Sequence, residues 1–259
     1  MNHKKAKKQE DSNSDDEMIN FYEIPEFKKY AVQLINPNYN IETMPLKHSF
    51  RMLIIGATGS GKSNILLNIL SKMSGTFEYI HIFTQDKNEQ LYEGLADKIP
   101  DDMLKIYEGI ETFNDMDLSK LPEGQTLMVF DDMIVEGARK HKKIAELFIR
   151  GRKMMNKKGI SVIYLSQSYF DIEPSVIRKN ADKLVLKKIN GKYDKNAIIR
   201  DGVGLDLTKE QLHNMFNYCV KSKDDINNFM LIDKSAPDEY RIRKNFKTIL
   251  NPEDFKKII

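Results

Sequence analysis

The sequence predicts an α/β fold in which a mainly parallel β-sheet is sandwiched between helices. Through the middle of the chain, short apolar runs alternate with segments of helical periodicity, which is typical of parallel strands joined by crossover helices. The runs are continuously apolar, as expected for strands that are buried on both faces. The predicted strands are 50–55, 78–84, 103–107, 126–131, 160–166 and 183–188, and the predicted helices are 62–73, 88–96, 139–156 and 174–181.

The beginning of the chain does not follow this alternation. Residues 1–18 hold a lysine run and an acidic run with little apolar surface, too little to offset the entropy lost on ordering. We therefore expect a disordered charged tail in 1–18 and a single folded domain in 19–259. Within that domain, the scattered aromatic and apolar side chains of 19–49 favour an irregular segment with at most one edge strand.

The end of the chain, from about residue 205, predicts a helix followed by a β-hairpin. The segment Thr208-Lys209-Glu210-Gln211 has the capping-box pattern and should open a helix that runs to about Lys221. Residues 227–233 and 239–246 are strand-like on either side of a turn that contains a proline. No linker separates them from the rest, so we expect a hairpin at the sheet edge rather than a second domain.

Composition restricts the classes of protein that the chain can represent. Its 259 residues are 41% hydrophobic and 31% charged, which is typical of a globular domain, and no apolar run approaches the roughly 20 residues of a membrane helix. One cysteine, Cys219, excludes a disulfide framework and a cysteine metal cluster. The net charge of +3 is too small to predict a nucleic-acid partner. These features favour an intracellular protein without a membrane segment.

A glycine-rich segment after the first predicted strand matches the phosphate-binding P-loop pattern G-x-x-x-x-G-K-[ST]. Glycines are needed there because the loop wraps a phosphate too closely for side chains, and its backbone N–H groups point inward beside a helix N-terminus. Lys62 would reach the β- and γ-phosphates of ATP, and Ser63 would bind Mg²⁺. The predicted phosphate-binding residues are Gly56, Ala57, Thr58, Gly59, Ser60, Gly61, Lys62 and Ser63.

A pair of acids follows the predicted strand 126–131, as expected for the second motif of such a site. Asp131, which lies 69 residues after Lys62 (131 − 62), would hold Mg²⁺ through water, and Asp132 would be the base that polarises the attacking water. Acidic turns are common, but in this position they favour hydrolysis by an internal base. The chain has no Asn-Lys-x-Asp motif for guanine, which argues against a GTPase.

Gln167 follows the predicted strand 160–166, which we expect to lie between the strands of the two preceding motifs. A polar residue at that point would sit near the γ-phosphate, where it could orient the water or sense the phosphate. The alternative is an ordinary polar residue at the end of a strand.

Residues 139–158 contain nine Lys and Arg against one acid, Glu146. A solvated helix face, a channel for a nucleic-acid backbone and an arginine finger for a neighbouring subunit are all consistent with this pattern. The candidate finger or sensor residues are Arg150, Arg152 and, further along, Arg178. The candidate DNA contacts are Lys140, Lys142, Lys143, Lys153, Lys157 and Lys158.

The order of these motifs resembles that of the genome-packaging ATPases of poxviruses, other large DNA viruses and virophages, which belong to the FtsK–HerA superfamily. The resemblance spans roughly residues 48–190, and it is carried by the P-loop together with Val-Phe-Asp-Asp-Met, Phe-Ile-Arg-Gly-Arg-Lys, Leu-Ser-Gln-Ser and Ile-Arg-Lys-Asn-Ala-Asp. Two positions depart from relatives: Asp132 stands where many have Glu, and Lys153 where several viral members have His.

The resemblance implies a RecA-like sheet with the P-loop strand beside the Gln167 strand. It implies a ring of five or six subunits that uses ATP and Mg²⁺ to push double-stranded DNA into a preformed capsid, with capsid proteins as further partners. The expected place is the host cytoplasm, in a viral factory, or the packaging vertex of the virion. Two alternatives stay open: a cellular translocase or coupling ATPase of the same superfamily, and a nucleotide-dependent assembly switch that does not move DNA.

Overall fold

The computed structural model describes residues 20, 23–28, 36–133, 141–154, 158–189, 194, 197–198, 207–220 and 227–256. The chain divides into two compact units, residues 1–31 and residues 32–259. In the first, the described part contains the short helix α1 (Pro25–Lys28). The predicted tail 1–18 lies outside the described residues, and the single domain 19–259 stays a prediction.

The described strands of the second unit form one sheet in the order β3-β2-β4-β5-β1-β6-β7-β8-β9. The first six strands are parallel, and the last three are added antiparallel at one edge. All six predicted parallel strands are confirmed, with β6 two residues shorter at its end than expected. Their bounds are β1 (Arg51–Ile55), β2 (Tyr79–Thr84), β3 (Leu104–Glu108), β4 (Thr126–Asp131), β5 (Ile160–Ser166), β6 (Lys183–Leu186), β7 (Met230–Asp233), β8 (Ile242–Lys244) and β9 (Thr248–Ile249).

Helices cover both faces of the sheet, as predicted. Neighbouring strand residues point to opposite faces, so Met52 and Ile54 pack with α2 and α3, whereas Leu53 and Ile55 belong to the core under α4, α5, α6 and α7. This double burial explains why the strands read as continuous apolar runs. The helices are α2 (Lys62–Lys72), α3 (Gln90–Ala96), α4 (Ile110–Asp115), α5 (Lys142–Arg150), α6 (Val176–Asn180) and α7 (Lys209–Val220).

The structure differs from the sequence prediction at several elements. The predicted helix 139–156 is shorter: α5 ends at Arg150 and continues as a 3₁₀ turn, Gly151–Lys153, while residues 139–140 and 155–156 lie outside the described part. Helix α4 and strand β9 were not predicted. Among residues 36–49 the structure has one isolated bridge, Asn40 with Met44, and no strand.

The predicted C-terminal helix and hairpin are confirmed. The capping box is formed, because the Gln211 backbone N–H donates to Thr208 Oγ1 at 3.1 Å and the Thr208 N–H donates to Gln211 Oε1 at 3.0 Å. Strands β7 and β8 pair antiparallel beside β6. None of the helices in the described part is both long and apolar enough to cross a membrane.

A buried ion pair joins the parallel and antiparallel parts of the sheet. Lys183 of β6 lies opposite Asp233 of β7, with its Nζ 2.5 Å from the Asp233 carboxylate, and both side chains are about 4% exposed. Asp233 also accepts hydrogen bonds from the backbone N–H groups of Ser235 and Ala236, which fixes the turn that follows β7. The pair therefore fixes the register of the added strands.

Removing Asp233 should destabilise the domain strongly, since the buried Lys183 ammonium then keeps only the more distant of its two described carboxylate partners, that of Asp182 at 3.7 Å. We expect Asp233→Ala to lower the free energy of unfolding by about 3–5 kcal/mol, measured by urea denaturation. The matched control is the double variant Lys183→Met, Asp233→Leu, which removes both charges and should recover the part of the loss that comes from the unpaired charge, but not the part that comes from the lost hydrogen bonds of Ser235 and Ala236. An Asp233→Ala variant as stable as the wild type would contradict this role.

Candidate nucleotide site

The glycine-rich segment forms the loop between β1 and α2 at the carboxyl edge of the sheet. Two backbone hydrogen bonds fix its start: the Gly56 N–H donates to the Ser166 carbonyl and the Ala57 N–H to the Lys188 carbonyl, both at 3.1 Å. The loop is thus held between the ends of β5 and β6. It turns through Gly59 and Gly61, whose φ angles of 69° and 87° favour glycine.

The interior of the loop has the shape and the polar groups of an anion cradle. A Cβ on Gly56 would lie 2.5 Å from Lys187 Cβ and 2.6 Å from Ser60 Oγ, so only glycine fits there. Ser60 Oγ is buried and has no hydrogen-bond partner among the described residues. A buried hydroxyl without a partner is costly, and a phosphate oxygen would satisfy it. This observation fits the predicted ligand.

Lys62 and Ser63 begin helix α2, whose N-terminal N–H groups and dipole favour an anion. The Lys62 ammonium lies across the loop and donates to the carbonyls of Gly56 at 3.0 Å and Ala57 at 3.5 Å. The charge is therefore held at the loop, where a bound phosphate chain would replace one or both carbonyl contacts. Ser63 is half-buried in the first turn of the helix.

Asp131 is the last residue of β4 and is only 8% exposed. It accepts a short hydrogen bond from the hydroxyl of Tyr92, a fully buried residue of α3. Burial raises the pKa of Asp131 above its usual range and the bond from Tyr92 opposes that rise, whereas Asp132 and Glu89 raise the pKa further and Lys62 lowers it. The bond from Tyr92 thus fixes the carboxylate and favours its charged form.

Asp132, Gln167 and Thr58 form a chain of hydrogen bonds across the site. The Gln167 Nε2 donates to Asp132 Oδ2 at 2.8 Å, and the Thr58 hydroxyl donates to Gln167 Oε1 at 2.9 Å. Strand β5, which Gln167 follows directly, lies between β4 and β1, as the sequence predicted. Asp132 has a φ of 55°, which Asp tolerates better than most residues, and its N–H donates to the Leu165 carbonyl. The side-chain amide of Gln167 therefore connects the phosphate loop to Asp132.

Two of the candidate arginines, Arg150 and Arg152, are not at this edge of the sheet. Gly151 lies against Ile160 at the amino end of β5, and Arg51, at the start of β1, donates to the Phe148 carbonyl. Arg150 and Arg152 therefore lie near the amino edge, about 20 Å from the loop along β5. Both are exposed, and Arg150 forms an ion pair with Glu146 at 2.9 Å.

Arg178 is buried, whereas an arginine finger must be exposed to reach the site of a neighbouring subunit. It is 5% exposed, and its guanidinium donates to the backbone carbonyls of Phe170 at 2.8 Å and Ile172 at 2.5 Å. It also lies over the ring of Tyr169 and contacts Glu173. Arg178 fixes the loop between β5 and α6, so the structure does not support the prediction that it reaches into another subunit, and its alternative role as a sensor stays a prediction.

The described lysines of the basic stretch are one half-buried residue, Lys143, and three exposed ones. The Lys143 ammonium donates to the carbonyls of Phe113 at 2.8 Å, Asn114 at 3.0 Å and Met116, and so caps the end of α4. Its assignment as a DNA contact is therefore corrected to a structural role. Lys142, Lys153 and Lys158 are exposed, whereas Lys140 and Lys157 lie outside the described residues.

The residues that the sequence missed are those that support the site from other elements. Tyr92 is 39 positions from Asp131 and reads as a core residue of an amphipathic helix. The sequence signal for its role is weak, since nothing in the sequence brings Tyr92 to β4.

No group of three or more His, Cys, Asp or Glu that could hold a metal occurs among the described residues. Mg²⁺ would have to share its ligands with nucleotide phosphates, which is usual for this ion and fits Ser63 and Asp131.

Comparison with known proteins places the chain in a family. Residues 39–236 match the family model described as Poxvirus A32 protein. A search of the curated proteins gave no match.

The solved structures that the chain resembles have low sequence identity to it. The genome packaging NTPase B204 from Sulfolobus turreted icosahedral virus 2 in complex with ATP-gammaS is 13% identical, with a TM-score of 0.47, over 82% of this chain and 100% of that one. The DNA-packaging ATPase B204 from Sulfolobus Turreted Icosahedral Virus is 16% identical, with a TM-score of 0.47, over 83% and 100%. The cytoplasmic domain of the Thermomonospora curvata Type VII secretion ATPase EccC is 14% identical, with a TM-score of 0.48, over 81% and 26%.

The family match spans the P-loop, both acids and Gln167, and it confirms the resemblance that the motifs carry. The chain belongs to the Poxvirus A32 family of viral packaging ATPases.

Proposed function

We propose that this chain hydrolyses ATP to move double-stranded DNA into a viral capsid, and that it works as a ring of identical subunits. The observation that carries the hydrolysis step is the hydrogen-bonded chain from Thr58 through Gln167 to Asp132. It joins the phosphate loop to a carboxylate that is accessible to water, whereas Asp131 beside it is buried. The two acids therefore differ in environment as their separate roles require.

In this proposal the loop Gly56–Ser63 holds the β- and γ-phosphates with its backbone N–H groups and Lys62. Ser63 and Asp131 hold Mg²⁺, which neutralises charge on the phosphates when it is bound. Asp132 accepts the proton of the attacking water, and Gln167 positions that carboxylate and contacts the loop through Thr58. Loss of the γ-phosphate would change the surroundings of Gln167, which makes it a sensor of the nucleotide state.

The position of the arginines supports a ring. Arg150 and Arg152 lie near the edge of the sheet opposite to their own loop, so they are too far away to complete the site of the same subunit. An exposed arginine at that edge can complete the site of a neighbouring subunit. Such a finger typically raises the rate by about 10³–10⁵.

The exposed lysines Lys142, Lys153 and Lys158 are the described residues that support a DNA contact. They can neutralise phosphates without reading sequence, as packaging requires. Capsid proteins are a further partner in this proposal, and the place of action is the packaging vertex or a viral factory in the host cytoplasm.

The test of the motor function is ATP hydrolysis with and without duplex DNA. We expect DNA to stimulate turnover, and the stimulation should decline as salt rises, because phosphate contacts release counterions. Electron microscopy with a non-hydrolysable ATP analogue should show rings. Turnover that does not respond to duplex DNA at any salt concentration would favour the assembly switch instead.

Variants of Asp132 and Lys62 should distinguish a loss of ATP hydrolysis from a loss of ATP binding. Asp132→Asn keeps the shape of the side chain but removes the base, so we expect ATP binding close to wild type and a turnover lower by about 10²–10⁴. Lys62→Ala should instead lose nucleotide binding, measured by calorimetry. Normal turnover in Asp132→Asn would place the base elsewhere, and normal turnover in Lys62→Ala would contradict the site itself.

Tyr92 should act as a positioning residue for Asp131. Tyr92→Phe keeps the ring in the core but removes the hydroxyl, so the carboxylate loses the bond that orients it. We expect the affinity for Mn²⁺, used in place of Mg²⁺ with ATP analogue and followed by electron paramagnetic resonance, to decrease about 10-fold.

The matched control for this variant is Tyr107→Phe. It removes a tyrosine hydroxyl that contacts His81 Nδ1 at 3.2 Å in the outer strands, away from the acids. It should leave the Mn²⁺ affinity unchanged. Equal Mn²⁺ affinities in wild type and Tyr92→Phe would show that Asp131 is positioned without Tyr92.

A further inference from the structure

We propose that His141 is a positioning residue for the base Asp132, which it holds through the backbone carbonyl of Met133. His141 is 2% exposed, and its Nε2 lies 2.9 Å from that carbonyl. Its Nδ1 lies 3.0 Å from the carbonyl of Glu173, in the loop between β5 and α6. The ring therefore joins the chain that leaves Asp132 to the loop that begins with Gln167. This inference rests on the proposed function, since it takes Asp132 as the base.

The backbone of Asp132 is in a conformation that needs support from its surroundings. Its φ of 55° lies in the left-handed region, which a residue with a side chain keeps only where neighbouring contacts hold it. On the amino side, the Asp132 N–H donates to the Leu165 carbonyl at 3.2 Å. On the carboxyl side, the Met133 side chain is buried, and His141 fixes the direction of the Met133 carbonyl. The chain is thus held on both sides of the acid.

The loop that His141 contacts is itself held in place. Arg178 donates to the carbonyls of Phe170 and Ile172 in that loop, at 2.8 Å and 2.5 Å. Glu173 follows Ile172 directly, so its carbonyl belongs to a segment whose path is already fixed. The contact from His141 therefore ties the chain after Asp132 to a well-anchored part of the molecule.

Each ring nitrogen of His141 has its own carbonyl acceptor. A neutral imidazole has one N–H and can donate to Met133 or to Glu173, whereas the imidazolium has an N–H at each nitrogen and donates to both. The ring of Tyr164 packs edge-to-face against His141, with 6.1 Å between the ring centroids, and limits its rotation. Because the two contacts use different atoms, they can be removed one at a time.

The test removes each contact with a different amide side chain. Glutamine places its amide nitrogen near the position of Nε2, and asparagine near that of Nδ1, so His141→Gln keeps the donor to Met133 and His141→Asn the donor to Glu173. We expect kcat for ATP hydrolysis in His141→Asn to fall by about 10–100-fold, because a misplaced base slows the reaction. In His141→Gln, kcat should stay within about threefold of wild type. Both variants should bind a non-hydrolysable ATP analogue like the wild type in calorimetry.

The two variants are matched controls for each other, because each loses one buried hydrogen bond. Their midpoints in urea denaturation should therefore be similar, so that a difference in kcat cannot come from stability. His81→Asn is a further control, since His81 is a buried residue of β2 whose Nδ1 contacts the Tyr107 hydroxyl at 3.2 Å. It should hydrolyse ATP like the wild type.

Equal kcat values in His141→Asn and His141→Gln would show that the contact to Met133 does not position the base. If His141→Asn does not fold, His141→Gln decides alone: a kcat near wild type supports the role, and one lowered by more than about 10-fold at unchanged ATP affinity overturns it. A wild-type protein that does not hydrolyse ATP, or an Asp132→Asn variant that does so normally, would instead contradict the proposed function.

Discussion

The parallel register of β1 between β5 and β6 is the constraint on which the site depends. The Lys187 N–H donates to the Ile55 carbonyl at the end of β1. The N–H groups of the next two residues, Gly56 and Ala57, donate to the carbonyls of Ser166 and Lys188. The start of the phosphate loop is therefore a continuation of the sheet. A shift of one residue would also exchange the two faces of β1, so the same register that builds both cores fixes the loop.

The same register brings together residues that are distant in the chain. Ile55 lies opposite Ser166, and Asp131 lies opposite Leu165, so the ends of β1, β4 and β5 are level. The hydrogen bonds among Thr58, Gln167 and Asp132 follow from this alignment, although the pairs are separated by 109 and 35 positions. The positions of Thr58, Gln167 and Asp132 relative to one another thus depend on the strand register, because each residue lies in a short polar segment at the carboxyl edge of the sheet.

The sequence predicted the parts that local patterns determine. The parallel strands could be predicted because strands buried on both faces must be apolar throughout, and the loop because only glycines fit a phosphate so closely. The order of β4, β5 and β1 followed from the motifs. The contacts of Tyr92, Lys143 and Arg178 could not be predicted, since each side chain contacts a segment that tertiary packing brings near. The sequence pattern around a tyrosine in an amphipathic helix is the same whether its hydroxyl faces solvent or a carboxylate. The pattern around a lysine in a basic helix is likewise the same whether its ammonium faces solvent or the end of another helix.

The sheet also separates the groups that a complete catalytic site needs. The carboxylates and the phosphate loop lie at its carboxyl edge, while Arg150 and Arg152 lie near its amino edge, with β5 spanning the distance between them. A single subunit therefore has a base and a phosphate cradle, but its exposed Arg150 and Arg152 lie too far from them to neutralise the transition state. In the ring that we propose, each site would borrow that charge from the adjacent subunit. Hydrolysis would then depend on how two subunits are placed, and a change in that placement could be transmitted along the sheet to the exposed lysines beside the arginines.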